Sequence, residues 1–262
     1  VSREKARAMI LAGEISVEGK LIDKPGVKVN SEAVITVKSS RMKYVSRGGF
    51  KLEGAIKDFQ LDFTGKTVLD VGASTGGYTD CALQNKARKV IAVDVGYGQL
   101  DWSLRNDPRV VVAERTNIRY FTLAELGEKV DIITMDVSFI STTLIFPVLH
   151  TLLQDNGEIV SLIKPQFEAG REKVGKNGVV KNPLVHREVL LRCIAAAREE
   201  GLSCVGITYS PITGPKGNIE YFIHLRLNAE PLPDLESRAA SVVSEAHRVL
   251  EDRAGEDSSS KQ

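Results

Sequence analysis

Two rhythms of apolar and polar residues run along this chain of 262 residues. Near the start, Ala6, Met9 and Ile10 recur at helical spacing with Arg3 and Arg7 between them, behind Ser2 as an N-cap and ahead of Gly13 as a stop. Short strand-like segments follow at residues 15–17, 27–29 and 34–37, separated by turns at Glu18-Gly19 and Lys24-Pro25-Gly26. After a linker at 39–44, helical spacing returns with Leu52, Ala55, Ile56 and Phe59. From residue 67 onward, strands and helices alternate. Strands are predicted at 67–71, 89–93, 110–113, 130–135, 158–163, 202–210 and 220–227, with helices at 78–84, 141–153 and 183–200. Such alternation predicts an α/β fold with a mostly parallel seven-stranded sheet covered on both faces, preceded by a small α+β module. The loop holding Gly214, Pro215 and Gly217 would let the last two strands pair as an antiparallel hairpin. The expected division is a module at 1–41, a linker and helix at 42–59, the α/β domain at 60–229 and an acidic tail at 230–262. Within that tail, 237–250 reads as a surface helix and 251–262 as disordered.

Charge adds a partner class to this outline. The net charge of +1 is unevenly spread: residues 1–59 are markedly basic, 60–229 are balanced and 230–262 are acidic. A basic leading segment suits a polyanion, although a solvated charged face gives the same count. No apolar run approaches the roughly 18 residues that cross a bilayer, and no secretory signal pattern opens the chain. Cys81, Cys193 and Cys204 form neither a CxxC nor a Cys/His cluster. They read as buried thiols of a cytoplasmic protein, with no metal site expected.

The most informative stretch is Val68-Leu-Asp-Val-Gly-Ala-Ser-Thr-Gly-Gly-Tyr78, where a strand meets a glycine-rich turn and then a helix. Backbone N–H groups converge there, and glycine lets the backbone approach a ligand. Asp94 ends the next strand, where a carboxylate can accept both ribose hydroxyls of a nucleoside. A dinucleotide fingerprint would need a glycine at position 74, which is Ser. Gly72-Ala-Ser-Thr-Gly76 fits a hydrolase elbow literally, yet it follows the first strand of the sheet, too early for that fold. What fits throughout is a resemblance to the D-x-G-x-x-x-G-G loop of S-adenosylmethionine methyltransferases. That resemblance implies a Rossmann-like methyltransferase domain in which Asp70, Gly72, Ser74, Thr75, Gly76, Gly77 and Tyr78 border the methionine part of the cofactor. Asp94 would hold the ribose, and Asp136 would sit where methyl donor and acceptor meet. Asn117 would take the adenine amino group, or serve simply as a turn residue.

Two further resemblances make the expectation specific. Residues 2–29, SREKARAMILAGEISVEGKLIDKPGVKV, resemble the S4 RNA-binding module, in which Arg3, Lys5 and Arg7 would contact phosphates. S4 modules begin with a further helix, so this one is expected to be N-terminally incomplete. Lys51 in SRGGFKL, Asp136 in TMDVSF, Lys164 in LIKPQFE and Glu220 in GNIEYF match the Lys-Asp-Lys-Glu tetrad of the RrmJ/FtsJ-type ribose 2′-O-methyltransferases. Together, the S4-like start and this domain resemble the TlyA family of hemolysin A-like rRNA methyltransferases. The resemblance implies methylation of cytidine in ribosomal RNA or ribosomal subunits, with Arg47 among the RNA contacts; it leaves the oligomeric state open.

The chemistry accounts for those residue types. A ribose 2′-hydroxyl is a weak acid, and a lysine depressed by burial and a neighbouring cation can take its proton or stabilise the alkoxide. Lys164 is assigned that role, Lys51 the neighbouring charge, and Asp136 and Glu220 the orientation of the ammonium groups. An amine N-methyltransferase would carry Asp/Asn-Pro-Pro-aromatic where this chain has Asp136-Val-Ser-Phe139, and a C5-methyltransferase would need a nearby cysteine. Phe139, Phe167 and Tyr221 read equally as base-stacking or core residues. The loop 170–181, with Arg171, Lys173 and Lys176, either closes over RNA or is a plain surface loop. Two other functions compete: a membrane-active hemolysin, whose amphipathic cationic helix is missing from the sequence, and a non-catalytic RNA-binding or assembly factor.

Overall fold

The computed structural model describes residues 6, 7, 10, 15–22, 24–37 and 42–259, with 251–259 described by backbone alone. The chain divides into two compact units, Val1–Lys43 and Tyr44–Gln262.

In the first unit Ala6, Arg7 and Ile10 are helical, while Arg3 and Lys5 lie outside the described residues. Strands β1 Ile15–Val17, β2 Lys20–Ile22 and β3 Ile35–Val37 form an antiparallel sheet in the order β2-β1-β3. Glu18 and Gly19, both at positive φ (49° and 75°), close a two-residue hairpin that places Lys20 opposite Val17. This corrects the strand expected at 27–29. The tight turn pairs Lys20–Ile22 with β1 at once, and the turn at 25–26 then carries the next valines away unpaired.

In the second unit a seven-stranded sheet runs β6-β5-β4-β7-β8-β10-β9. Its strands are β4 Thr67–Val71, β5 Lys89–Val93, β6 Val110–Ala113, β7 Val130–Met135, β8 Leu153–Ile163, β9 Leu202–Tyr209 and β10 Tyr221–Leu227. Only β10 runs against its neighbours, pairing antiparallel with both β8 and β9. The β-period of two splits the core. Leu69, Val71, Ile133 and Met135 face one layer, and Val68, Ile132, Val160 and Leu162 face the other. The first layer is helix α7 Pro183–Glu199 with α8 Leu235–Ser259; the second is α1 Gly48–Phe59 with α2 Gly77–Gln84. Between α2 and α7 in the chain come the short helices α3 Trp102–Arg105, α4 Leu123–Leu126, α5 Phe146–Leu152 and α6 Pro165–Glu168.

Two elements differ from the sequence expectation for identifiable reasons. The helix expected at 141–153 splits into a 3-10 turn, Thr142–Leu144, and a helix, Phe146–Leu152, because Pro147 fits only the first turn of a helix. Leu153 then already pairs with Val130, and a register shift precedes the pairing of Glu158 with Ile132. The acidic tail also forms a longer helix than the surface helix expected at 237–250, and one with a buried stripe. Helix α8 runs to Ser259, and Ala239, Val243, Ala246 and Leu250 are buried, an apolar stripe at helical spacing hidden among Arg, Glu and Ser.

Helix α1 reaches the sheet because glycines clear its path. A Cβ on Gly77 would lie 2.8 Å from the backbone N of Gly49 and would also meet the Ser46 hydroxyl. Gly77→Ala should therefore lever α1 off α2, lowering Tm by about 3–10 °C in a thermal melt. An unchanged Tm would show that the α1–α2 contact yields freely.

Candidate active site

Parallel strands deliver their carboxyl ends to one edge of the sheet, and the order in which strands are added reverses at β4, opening a crevice there. The loop after β4 and the loop after β7 touch across it. Gly72, at φ +84°, would place a Cβ 2.5 Å from the Asp136 carbonyl oxygen, so only glycine lets the two strands end side by side. Asp136 follows β7 and Lys164 follows β8. Because β10 is antiparallel, its first residue, Tyr221, sits opposite Ile163, which brings Glu220 beside Lys164. Lys51 arrives from α1.

The four residues form one chain of ion pairs. Asp136 contacts Lys164 Nζ at 2.5 Å through Oδ1 and Lys51 Nζ at 3.5 Å through Oδ2. Lys51 also donates to Glu220 Oε2 at 2.6 Å. Lys164 donates to Ser138 Oγ at 2.9 Å, and Gln166 Nε2 donates to Glu220 Oε1 at 3.1 Å. Lys51, Lys164 and Glu220 are buried. Burial alone would depress the Lys51 ammonium, but Asp136 and Glu220 outweigh it and hold its pKa above the ordinary lysine value.

These side chains line a cavity of about 650 Å³ together with Arg47, Gly72, Ser74, Thr75, Gly77, Tyr78, Gln166 and Phe167. A second cavity of about 370 Å³ is lined by Asp94, Gln99, Asn117 and Ile118, and shares Gly72, Ser74, Asp136, Ser138 and Phe139 with the first. Asp94 accepts the backbone N–H groups of Ser74 at 2.8 Å and Gly96 at 2.7 Å, which orients its carboxylate at the cavity wall. Asn117 caps a 3-10 turn, accepting Arg119 N–H at 3.1 Å, while also lining this cavity; the two readings of that residue are therefore compatible. A loop stripped of Cβ at Gly72, a carboxylate after β5 and an amide after β6 fit a nucleoside with a short charged extension. That is the chemistry of S-adenosylmethionine.

Several expected residues stand elsewhere. Gly76 packs against Leu100 and Leu104, and neither it nor Asp70 lines a cavity. Arg47 is at the mouth of the larger cavity, where its guanidinium donates to the Thr213 carbonyl at 3.3 Å. In the loop 170–181, Lys173 is taken by Glu188 at 2.7 Å, and Asn218 fastens the loop by accepting Val180 N–H and donating to the Gly178 carbonyl. Tyr221 is wholly buried against His186, which settles its reading toward the core. Phe139 is 91% exposed at φ +65°, a conformation costly for an aromatic residue, and its ring lies 4.9 Å from that of Phe167. Ser138 and Gln166 carry no marker in the sequence, since their partners are 26 and 54 residues away.

Asp70 is sealed behind the glycine loop, where it accepts the hydroxyls of Thr79 at 2.6 Å and Thr134 at 3.1 Å. Desolvation dominates over those hydrogen bonds and, with the nearby Asp136 charge adding to it, pushes the Asp70 pKa up to about 6. An acid whose folded pKa exceeds its unfolded value holds extra protons in the native state. Its stabilising contribution is thus full below the ordinary value of 3.8 and lost as pH rises through about 6. In denaturant titrations, wild-type stability should fall relative to Asp70→Asn by up to about 3 kcal/mol between about pH 4 and pH 7. Parallel pH curves for the two proteins would refute the desolvated carboxylate.

Known proteins resemble this arrangement closely. The FtsJ-like methyltransferase family model matches residues 44–227. Bacillus subtilis YqxC is 50% identical over 258 residues, covering 96% of this chain and 91% of that one. The 16S/23S rRNA (cytidine-2′-O)-methyltransferase TlyA of Mycobacterium tuberculosis is 44% identical over 247 residues, 92% of each chain. A solved structure from Streptococcus thermophilus, described as a hemolysin, superposes with a TM-score of 0.81 at 42% identity over 97% of this chain and 93% of that one. Among the described residues, no helix is long and apolar enough to cross a membrane. With its matched residues including every residue that lines the two cavities, the chain belongs to the FtsJ-like methyltransferase family.

Proposed function

We propose that this methyltransferase modifies the ribose 2′-hydroxyl of a cytidine in ribosomal RNA, acting in the cytoplasm on ribosomal subunits. The observation that carries the reading is the Lys164–Asp136–Lys51–Glu220 chain of ion pairs, set in a cavity that shares its wall with a nucleoside-sized one. The name of the Mycobacterium tuberculosis relative supports the cytidine and the ribosomal target.

S-adenosylmethionine, the cofactor of the family, supplies the methyl group and leaves as a neutral thioether. Asp94 would hold its ribose, Asn117 its adenine, and Gly72, Ser74 and Thr75 its methionine end. Asp70 supports that loop from beneath. On the acceptor side, Lys164 takes the proton from the 2′-hydroxyl as the oxygen–carbon bond forms. Lys51, kept an ammonium by Asp136 and Glu220, is the fixed positive charge that stabilises the developing alkoxide. Asp136 fixes both lysines, so the protein mainly aligns the transfer. Phe139 and Phe167 offer exposed aromatic surface for the nucleobase. Arg7 of the first unit and Arg47 contribute phosphate contacts, and Arg3 and Lys5 take the same role on sequence alone.

Labelled methyl transferred to ribosomal subunits from cells lacking this enzyme should survive alkaline hydrolysis in dinucleotides, because a methylated 2′-oxygen cannot attack its own phosphodiester. Label released in mononucleotides would move the reaction to a base. Lys164→Ala should lower kcat by about 10²–10⁴-fold while the S-adenosylmethionine Kd stays within a few-fold; loss of both would make Lys164 a structural residue. Deleting residues 1–43 should weaken binding to ribosomal subunits far more than cofactor binding, and equal losses would end the division of labour between the units.

A further inference from the structure

The ion-pair chain ends on an amide with one half unused. Gln166 Nε2 donates to Glu220 Oε1 at 3.1 Å, while Glu220 Oε2 receives Lys51 at 2.6 Å. A carboxylate accepts only, so it fixes which end of the amide faces it, and the Gln166 carbonyl oxygen is turned the other way. That oxygen, Oε1, is buried and has no hydrogen-bond partner among the described residues. Its residue lines the same cavity as Lys51, Asp136 and Lys164. Neighbouring groups do not supply a donor: Asn218, across the cavity, spends its NH2 on the Gly178 carbonyl, and Lys164 is held by Asp136 and Ser138. The Tyr78 hydroxyl, the other unpartnered polar atom of this cavity, is not bonded to it.

A carbonyl oxygen left bare in a low-dielectric site is a demand for a donor. Building on the methyl-transfer reading above, we infer that Gln166 Oε1 accepts a hydrogen bond from the exocyclic amine of the target nucleobase, making Gln166 a base-reading residue. The chemistry of an internal nucleotide narrows the choice. Its phosphates only accept, its 3′ and 5′ oxygens are esterified, and its 2′-hydroxyl gives up its proton in the reaction. On that nucleotide only base N–H groups remain as donors. The cofactor's adenine-side cavity, lined by Asp94 and Asn117, does not include Gln166. Cytosine presents an amine at position 4, where uracil presents a carbonyl oxygen that would face Gln166 Oε1 acceptor to acceptor. A site built to pair one polar group discriminates strongly against an analogue lacking it.

The test is a double-mutant cycle between enzyme and RNA, run with the full-length protein. The modified position is first located from the alkali-resistant dinucleotide, and ribosomal subunits are then prepared with that cytidine or with uridine in its place. Wild-type enzyme should prefer cytidine by about 10- to 100-fold in kcat/KM. Gln166→Met, similar in length, also gives up the bond to Glu220 and so lowers both substrates by a common factor. It should lower cytidine by about a further 10- to 100-fold and erase the preference, with the S-adenosylmethionine Kd unaltered. Equal losses on both substrates would overturn the inference, since Gln166 would then act only through Glu220. A parallel rise in cofactor Kd would overturn it in favour of a cofactor contact, and a wild-type enzyme indifferent to the base would overturn it without any variant. Absence of transfer by the wild-type enzyme to either substrate would instead bring down the methyl-transfer reading, and this inference with it.

Discussion

One carboxylate shared by two lysines organises the cavity-bearing edge of the sheet. Asp136 holds Lys164 on one oxygen and Lys51 on the other, both side chains being buried. Buried charges are tolerable only when paired, and removing one partner from such a pair typically costs about 3–5 kcal/mol. The surrounding fold therefore has to deliver three elements to one point. Gly72 lets the ends of β4 and β7 meet, the reversal of β10 brings Glu220 to the end of β8, and Gly77 with Gly49 lets α1 carry Lys51 in. A side chain at any of these glycines would disturb a charge rather than a contour.

How far the sequence discloses this depends on the range of the interactions involved. Strand periodicity and the glycine-rich turn are local, and the strands over 67–71, 89–93, 110–113 and 130–135 stand where periodicity puts them. Lys51, Asp136, Lys164 and Glu220 were legible because each ends or flanks an element and matches a family motif; their convergence is what the structure adds. The failures are equally physical. The apolar stripe of α8 is diluted by charge until its partners on α7 and β9 are known, and Val27 and Val29 look like a strand until the hairpin at Glu18-Gly19 claims β2. Gln166 and Ser138 could not be chosen from one sequence, because a polar residue becomes significant only through a partner brought in from far along the chain.

The cavity proposed as the active site is also where the structure is least relaxed. Phe139 adopts a left-handed backbone with its ring almost fully exposed, and the Tyr78 hydroxyl and the Gln166 carbonyl oxygen go unpartnered in the same cavity. Each such feature costs roughly 1–3 kcal/mol, a large share of a typical folding margin of about 5–15 kcal/mol. The two apolar layers beneath supply the stability that makes this tolerable, being continuous from the sheet into α7 and α8 on one side and α1 and α2 on the other.

The contrast between Asp70 and Asp136 shows the same logic within one residue type. They stand on adjacent strands, one inside β4 and one just past β7. Asp70 meets only threonine hydroxyls and apolar surface, so burial raises its pKa and it is suited to bracing the glycine loop. Asp136 meets two lysine side chains at the cavity wall, one on each carboxylate oxygen, which places it to orient them. A shift of one residue in the β4–β7 register would turn Asp136 toward the opposite face of the sheet, leaving the lysines without their shared partner. The catalytic assignment therefore rests on strand register as much as on residue identity.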